Sequence, residues 1–129
     1  MSRIAAPLRV LVITMTMLSA GTAADAHEVY VSNEKDNTVS VIDTKSLAVV
    51  RTFKVGKRPR GIAFARDHKT FYLCASDSDA VQVYDMNGDK FLYDLPSGRD
   101  PEQFVVSRDG RRLYIANEDD AVSTIVDLD

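Results

Sequence analysis

The sequence predicts an all-β repeat protein, and three observations support this prediction. Tyrosines and aspartates recur at intervals of 42 residues: Tyr30, Tyr72, Tyr114, Asp43, Asp85 and Asp127. A Gly-x-x-Pro motif recurs at the same interval, beginning at Gly56 and Gly98. Beyond the N-terminal segment, apolar residues alternate or run continuously and never follow helical spacing over three turns. A fixed period of this length indicates stacked copies of one supersecondary unit.

Residues 1–26 are predicted to be a secretory signal peptide and not part of the fold. The first nine residues carry two arginines and no acid, and Val10 to Leu18 form an apolar run broken only by threonines. Ala24 and Ala26 are small residues of the kind that a signal peptidase recognises, so that His27 becomes the N-terminus. The apolar run is too short to span a bilayer. We therefore expect export to the periplasm without membrane attachment after cleavage, with an uncleaved anchor as the alternative.

The composition of residues 27–129 bounds the function. These residues include 14 basic and 18 acidic side chains, a net charge of −4, which argues against a nucleic-acid partner. Cys74 is the only cysteine, so neither an internal disulfide nor a CxxCH haem attachment is possible. Its position in the apolar run "FYLCAS" predicts a buried structural thiol.

The one complete repeat contains four predicted strands, at residues 60–65, 70–76, 80–85 and 90–96. Each is rich in Val, Ile, Phe and Tyr and is bounded by turn residues. The connectors between them have three or four residues, which permits only antiparallel neighbours. We name these strands A to D in chain order and expect A to be the innermost.

A four-stranded meander that repeats every 42 residues matches a β-propeller blade. The first sheet begins with "EVYVSN", a B strand, and the chain stops inside a C strand at Asp129. The prediction is therefore a tally of three, four and three strands, about two and a half blades of an incomplete ring. We expect this to be the front part of a longer propeller, for example from a truncated reading frame, whose open ends favour self-association.

The repeats resemble the YVTN type of β-propeller. The segments that carry the resemblance are "VYVSNEKDNTVSVIDT", "RPRGIAFARDHKTFYLCASDSDAVQVYD" and "DPEQFVVSRDGRRLYIANEDDAV", which span Val29 to Asp129. Among such propellers the loop sequences are most similar to periplasmic proteins associated with pyrroloquinoline quinone (PQQ)-dependent alcohol catabolism.

This resemblance implies a non-catalytic accessory or binding scaffold. The quinone dehydrogenases resemble one another through a tryptophan-bearing blade motif, and this chain has no tryptophan. The implied partners are a periplasmic quinoprotein dehydrogenase or a cytochrome, and no bound cofactor is implied. The alternatives are a lactonase-like propeller hydrolase and a cell-surface adhesion repeat protein, because one propeller fold serves many functions.

Topology predicts which loops form a binding surface. The D-to-A and B-to-C loops of a meander emerge on the same rim, and these loops are the more richly charged. The candidate binding residues lie just before or at the start of inner strands, nearest to the axis: Arg58, Arg60, Arg99, Asp100 and Glu102. The competing interpretation is that such residues merely stabilise tight turns.

Metal and catalytic sites are not predicted. The acidic loops "SDSDA" and "NEDDA" do not match the twelve-residue calcium loop with its central glycine and closing glutamate. His68 aligns with Gly110 of the next repeat, which indicates a turn residue instead of a general base. Residues on B and inner strands are predicted to be buried: Tyr30, Tyr72, Tyr114, Ile62, Phe64, Val105 and Val106.

Overall fold

The structure, a computed structural model, describes residues 27–129, and the predicted signal peptide lies outside this range. The described residues form ten strands and one short 3₁₀ helix. In chain order they are β1 (Glu28–Asn33), β2 (Thr38–Asp43), β3 (Val49–Lys54), β4 (Pro59–Phe64), β5 (Thr70–Ala75), the 3₁₀ helix (Ser76–Ser78), β6 (Ala80–Asp85), β7 (Lys90–Pro96), β8 (Pro101–Val106), β9 (Arg112–Asn117) and β10 (Val122–Asp127). Within these residues, no helix has the length and apolar character needed to cross a membrane.

The strands form three antiparallel sheets in sequence order. The first sheet is β1-β2-β3, the second is β4-β5-β6-β7, and the third is β8-β9-β10. Every neighbouring pair is antiparallel, as a meander with short connectors requires. The all-β prediction and the strand tally of three, four and three are confirmed. The described residues form partial propeller blades and do not close a ring.

Backbone conformation repeats with the same period as the sequence. Residues with a left-handed φ between 51° and 78° fall into sets spaced by 42 residues: Asn37, Asp79 and Ala121; Leu47 with Asp89; Arg58 with Asp100; His68 with Gly110. Asn, Asp and Gly reach this region at low cost, whereas Leu and Arg are strained there. The sets show that the turns have one geometry in each copy. They also confirm that His68 is a turn residue.

Side chains of the recurrent aspartates stabilise the turns that follow strands. Asp43, Asp85 and Asp127 each accept a hydrogen bond at Oδ1 from the backbone N–H two residues later, at 3.0, 2.8 and 3.2 Å. Asp67 and Asp109 do the same on the A-to-B turns, at 2.9 and 3.1 Å. This Asx-turn bonding gives a structural reason for the recurrence of aspartate at these positions.

The glycine of each Gly-x-x-Pro motif lies where two segments approach closely. A Cβ atom on Gly56 would stand 2.6 Å from Cβ of Ala75 and 2.6 Å from Oε1 of Gln82. The backbone N–H of Gly56 donates to that same Gln82 oxygen at 2.6 Å. In the next repeat, Gly98 donates to Oγ1 of Thr124 at 3.1 Å. At Gly56, glycine is needed because a side chain would displace the hydrogen-bond acceptor.

The first core cluster lies between the first and second sheets and is aromatic. Phe71 is fully buried and stacks on Tyr84 with ring centroids 5.0 Å apart. Tyr30 and Phe53 of the first sheet pack against it at 5.3 and 6.3 Å. Rings from both sheets therefore interdigitate across this interface.

The second core cluster lies between the second and third sheets and is mainly aliphatic. Its buried members are Ala65, Tyr72, Cys74, Val81, Val83, Leu113, Ile115 and Val126. Burial raises the pKa of the Cys74 thiol to about 12. This confirms the prediction of a buried cysteine.

The predicted burial is wrong for three of the seven residues. Tyr72 is 8% exposed, but Phe64, Val105 and Tyr114 are 38, 65 and 42% exposed. Val105 and Tyr114 lie on the outer face of the third sheet, which no described residue covers. Phe64 ends the inner strand of the second sheet, and the first sheet has no described inner strand opposite it. Tyr30, Ile62 and Val106 are half-buried.

Candidate functional site: the charged rim

The loops that precede inner strands and those that join B to C strands meet on one rim of the array. We call the charged rim the cluster of ionic side chains that these loops bring together: Glu34, Arg58, Arg60, Asp77, Asp100, Glu102 and Glu118. All three sheets contribute to it. The topological prediction of which loops share a rim is consistent with these contacts.

The same pair of backbone contacts fixes the rim at both junctions between sheets. The N–H of Arg58 donates to Oδ1 of Asn37 in the preceding sheet at 2.8 Å. The N–H of Asp100 donates to Oδ1 of Asp79 at 2.9 Å, one repeat later. All four residues have a left-handed φ. Their turn geometry therefore also holds neighbouring sheets in register.

Arg58 is the centre of the charged rim. Its guanidinium lies 3.1 Å from Asp77 in its own sheet and 2.5 Å from Glu102 in the third sheet. It also lies 3.5 Å from Glu34 of the first sheet and 3.3 Å from Asp100. One cation thus contacts carboxylates from three consecutive sheets. These hydrogen bonds and charges, with that of Asp77 the largest effect, raise the pKa of Arg58 and keep it ionised.

Arg60 and Glu102 form a second ion pair of the charged rim. Arg60 lies 2.9 Å from Glu34 and 2.5 Å from Glu102. The two oxygens of Glu102 therefore each bind a different guanidinium. The side chain of Glu102 is only 14% exposed, and its burial raises the pKa above the ordinary value although the two arginines oppose this. The guanidiniums of Arg58 and Arg60 therefore fix the Glu102 carboxylate in place.

Three carboxylates approach one another at the edge of this arrangement. Oxygens of Asp100, Glu102 and Glu118 all lie within 4.8 Å of one another. Asp100 has one buried oxygen that accepts no hydrogen bond, although Arg58 lies 3.3 Å away as an ion pair. The charged rim has two guanidiniums and five carboxylates, so its formal charge is −3. The rim is therefore acidic in spite of its arginines.

The structure brings four of the five predicted rim residues together and places the fifth apart. Arg58, Arg60, Asp100 and Glu102 belong to one network. Arg99 instead lies 3.1 Å from Asp119, and its side chain is 65% exposed. Its backbone N–H donates to Asp120, as that of Lys57 does to Ser78 one repeat earlier. Arg99 is therefore not part of the ion-pair network around Arg58.

Sequence reasoning did not select three members of the charged rim: Glu34, Asp77 and Glu118. All three lie in the B-to-C loops, which were assigned to this rim but interpreted as turn chemistry. A signal for two of them was present, because Glu34 and Glu118 occupy the same repeat position two periods apart. The equivalent residue in the second repeat, Ser76, donates to the carbonyl of Pro101 at 2.6 Å.

The opposite rim carries an open depression of about 600 Å³. It is lined by the A-to-B and C-to-D turns of the second sheet, including Asp67, His68 and Asp85. Asp67 and Asp85 are engaged with their own turns. The charged rim has the larger set of side chains that converge from different sheets, and so it is the stronger candidate site.

Comparison with known proteins identifies the fold. No protein-family profile matches the sequence, and no curated protein matches it at a significant level. Solved structures do match. Kuenenia stuttgartiensis hydrazine synthase has a TM-score of 0.72 and 23% identity over 78% of this chain and 29% of its own. Dihydro-heme d1 dehydrogenase NirN in complex with DHE has a TM-score of 0.65 and 21% identity over 85% of this chain and 24% of its own.

A third match is a functionally unknown protein from Desulfotomaculum acetoxidans DSM 771, with a TM-score of 0.62 and 19% identity over 77% of this chain and 37% of its own. The neighbours are of the propeller type. At these identities the likeness shows the propeller fold alone. The chain spans between about a quarter and two fifths of the length of these proteins.

Proposed function

We propose that this chain is a non-catalytic periplasmic scaffold that holds a partner protein at its charged rim. The observation that carries the proposal is the formal charge of −3 on a rim whose ionic side chains, apart from Glu118, are fixed by ion pairs among three sheets. A preorganised surface loses little conformational entropy when it binds. In line with the sequence resemblance, the partner is a quinoprotein dehydrogenase or a cytochrome of PQQ-dependent alcohol catabolism.

The charge of the rim defines the chemistry of the partner surface. Glu118 is exposed and makes no ion pair with any residue of 27–129. Glu34, in the B-to-C loop of the first sheet, is also exposed, with 47% of its side chain accessible. Such carboxylates attract a surface that bears lysine or arginine and accelerate its association at low salt. The partner therefore presents a basic patch.

The arrangement of the rim favours binding over catalysis. A general acid or base must reach a substrate atom at hydrogen-bond distance. Both oxygens of Glu102 are instead occupied by guanidiniums at 2.5 Å. The raised pKa of Glu102 comes from burial within this network and does not require a catalytic role.

The experiment measures the affinity of the chain for a purified quinoprotein alcohol dehydrogenase and for its cytochrome. Calorimetry at about 20 mM and about 200 mM salt spans Debye lengths of roughly 20 to 7 Å, so that a rim-driven complex weakens strongly across the range. Glu118→Gln is expected to lower affinity about two- to fivefold at low salt. Asp94→Asn removes an equal charge from the outer strand β7 and is the matched control.

Two results would contradict the proposal. One is the absence of binding to both candidate partners at low salt. The other is an equal loss of affinity in Glu118→Gln and Asp94→Asn, which would show that net charge matters and the rim does not.

A lactonase-like hydrolase is the second candidate, because three carboxylates lie within 4.8 Å of one another. Calcium titration together with a lactone hydrolysis assay separates the two functions. Saturable calcium binding that Glu118→Gln abolishes, with turnover that depends on the metal, would favour the hydrolase. Asp94→Asn again serves as the control.

A further inference from the structure

Both ends of the array expose an apolar sheet face. We call the outer face of the first sheet the leading face, defined by Val29 and Val31, which are 46 and 39% exposed. We call the outer face of the third sheet the trailing face, defined by Val105, Tyr114 and Ile125, which are 65, 42 and 63% exposed. No described residue covers either face.

The leading face has buried equivalents in the other two repeats. Val29 is equivalent to Phe71, and Phe71 is completely buried between the first and second sheets. Val31 is equivalent to Leu73 and Ile115, and both have no exposed surface. Each of these buried residues faces the sheet that precedes its own. In the second and third sheets, the surface equivalent to the leading face is therefore covered by the preceding sheet.

The trailing face has buried equivalents in the same way. Ile125 is equivalent to Val41 and Val83, which are 0 and 1% exposed. Tyr114 is equivalent to Tyr72, which is 8% exposed. These equivalents all face the sheet that follows their own. The trailing face also has a shallow groove of about 330 Å³, lined by Val105 and Tyr114 among others, that can receive apolar side chains.

We propose that copies of this chain associate head to tail, with the leading face of one copy packed on the trailing face of the next. Inside the chain this same pair of surfaces meets twice, once between the first and second sheets and once between the second and third. The intermolecular contact continues an interface that the fold already contains. Because the two faces differ, the contact is heterologous and joins unlike ends.

The apolar character of the two faces supplies the driving force. Exposed apolar patches of this kind promote association, and repeat arrays are stabilised by contacts between neighbouring units. The leading face has no equivalents of Arg58 and Arg60 among the described residues, because the first sheet has no described inner strand. Glu118 therefore lacks at this contact the cationic partners that Glu34 has at an internal junction. Association is therefore expected to be independent of the partner binding proposed above, and Glu118→Gln is expected to leave it unchanged.

Two single variants of the full chain test the proposal by complementation. Val31→Asp places a charge on the leading face, and Ile125→Asp places one on the trailing face. Both residues are exposed in the single chain, so each variant is expected to fold, as checked by circular dichroism and thermal unfolding. Leu92→Asp is the matched control. Leu92 is 41% exposed on β7 of the second sheet, which contributes to neither the leading nor the trailing face.

Size exclusion with light scattering at micromolar concentration gives the readout. The wild type and Leu92→Asp are expected to have the mass of two or more chains, whereas Val31→Asp and Ile125→Asp are each expected to be monomers. An equimolar mixture of the two monomeric variants is expected to form a one-to-one dimer, because each retains the face that the other has lost.

Three outcomes would overturn the proposal. The first is a monomeric wild type, and the second is an unchanged mass in either face variant. The third is a mixture of the two variants that stays monomeric, which would show that an intact leading face and an intact trailing face do not bind each other. A result in which Glu118→Gln dissociates the oligomer would assign the contact to the charged rim instead.

Discussion

Alanine substitutions at one repeat position in all three sheets test how much a covering sheet adds to the contribution of that position to the free energy of unfolding. The position is occupied by Val29, Phe71 and Leu113. Phe71 and Leu113 have no exposed surface, whereas Val29 is 46% exposed. Phe71→Ala removes a ring that stacks on Tyr84 at 5.0 Å and packs against Tyr30 at 5.3 Å.

We expect Phe71→Ala to lower the free energy of unfolding by about 3 to 5 kcal/mol, from the lost transfer energy and the cavity that remains. Leu113→Ala is expected to cost about 2 to 5 kcal/mol. Val29→Ala deletes two methyl groups that are half in water, so its cost is about 1 kcal/mol or less. Domains of this size have total stabilities of about 5 to 15 kcal/mol, so the two buried losses are easily resolved.

Urea unfolding followed by circular dichroism gives these values when all three alanine variants are made in the Ile125→Asp background, which is expected to be monomeric, and the midpoint is checked to be independent of protein concentration. That check matters because Val29 lies on the leading face, where association would add its own free energy. A cost below about 1 kcal/mol for Phe71→Ala would refute the assignment of the aromatic cluster as a core. Equal costs for Val29→Ala and Phe71→Ala would refute the argument that a covering sheet determines the effect.

Two further predictions concern ionisable groups. Burial raises the pKa of Cys74 to about 12, so a thiol reagent at mildly alkaline pH is expected to leave it unmodified until urea unfolds the protein; rapid labelling of the native state would contradict this. Hydrogen bonds from Ser46 lower the pKa of Asp43, and those from Ser107 lower that of Asp109. Their stabilisation is present above the unfolded pKa of about 4 and is lost as pH falls through the lower folded value. Urea midpoints are therefore expected to fall below about pH 4, less steeply in Asp43→Asn, and an unchanged slope in that variant would contradict the assignment.

The strand pattern was predictable because each copy of the repeat carries it independently. Alternating apolar residues and short polar connectors leave a meander as the only arrangement, and the register follows from the pairing of opposite strands. The strands of the second sheet agree with their predicted ranges to within a residue. The tally of strands in the first and third sheets follows from the same pattern.

Burial was less predictable because it depends on which sheet covers a residue. Tyr72 and Tyr114 occupy one repeat position, but only Tyr72 has a following sheet against it. The ion-pair partners were also hard to predict, because they depend on contacts between loops of different strands. Arg58 and Arg99 both belong to Gly-x-x-Pro loops but are one position apart in the motif, and this shift directs Arg99 to Asp119 outside the charged rim. Arg58 and Leu47 adopt a left-handed backbone conformation. Their residue types do not predict it, because arginine and leucine are not residues that favour this conformation.

The contacts of Arg58 with three consecutive sheets bear on how the array unfolds. Arrays of repeats that touch only their nearest neighbours can lose terminal units one at a time. Here the detachment of the first sheet takes Glu34 away from Arg58, and the detachment of the third takes Glu102 and Asp100. Either event leaves the Arg58 guanidinium with fewer carboxylate partners. One side chain of the middle sheet therefore ties down both end sheets, in addition to the apolar contacts at the two junctions.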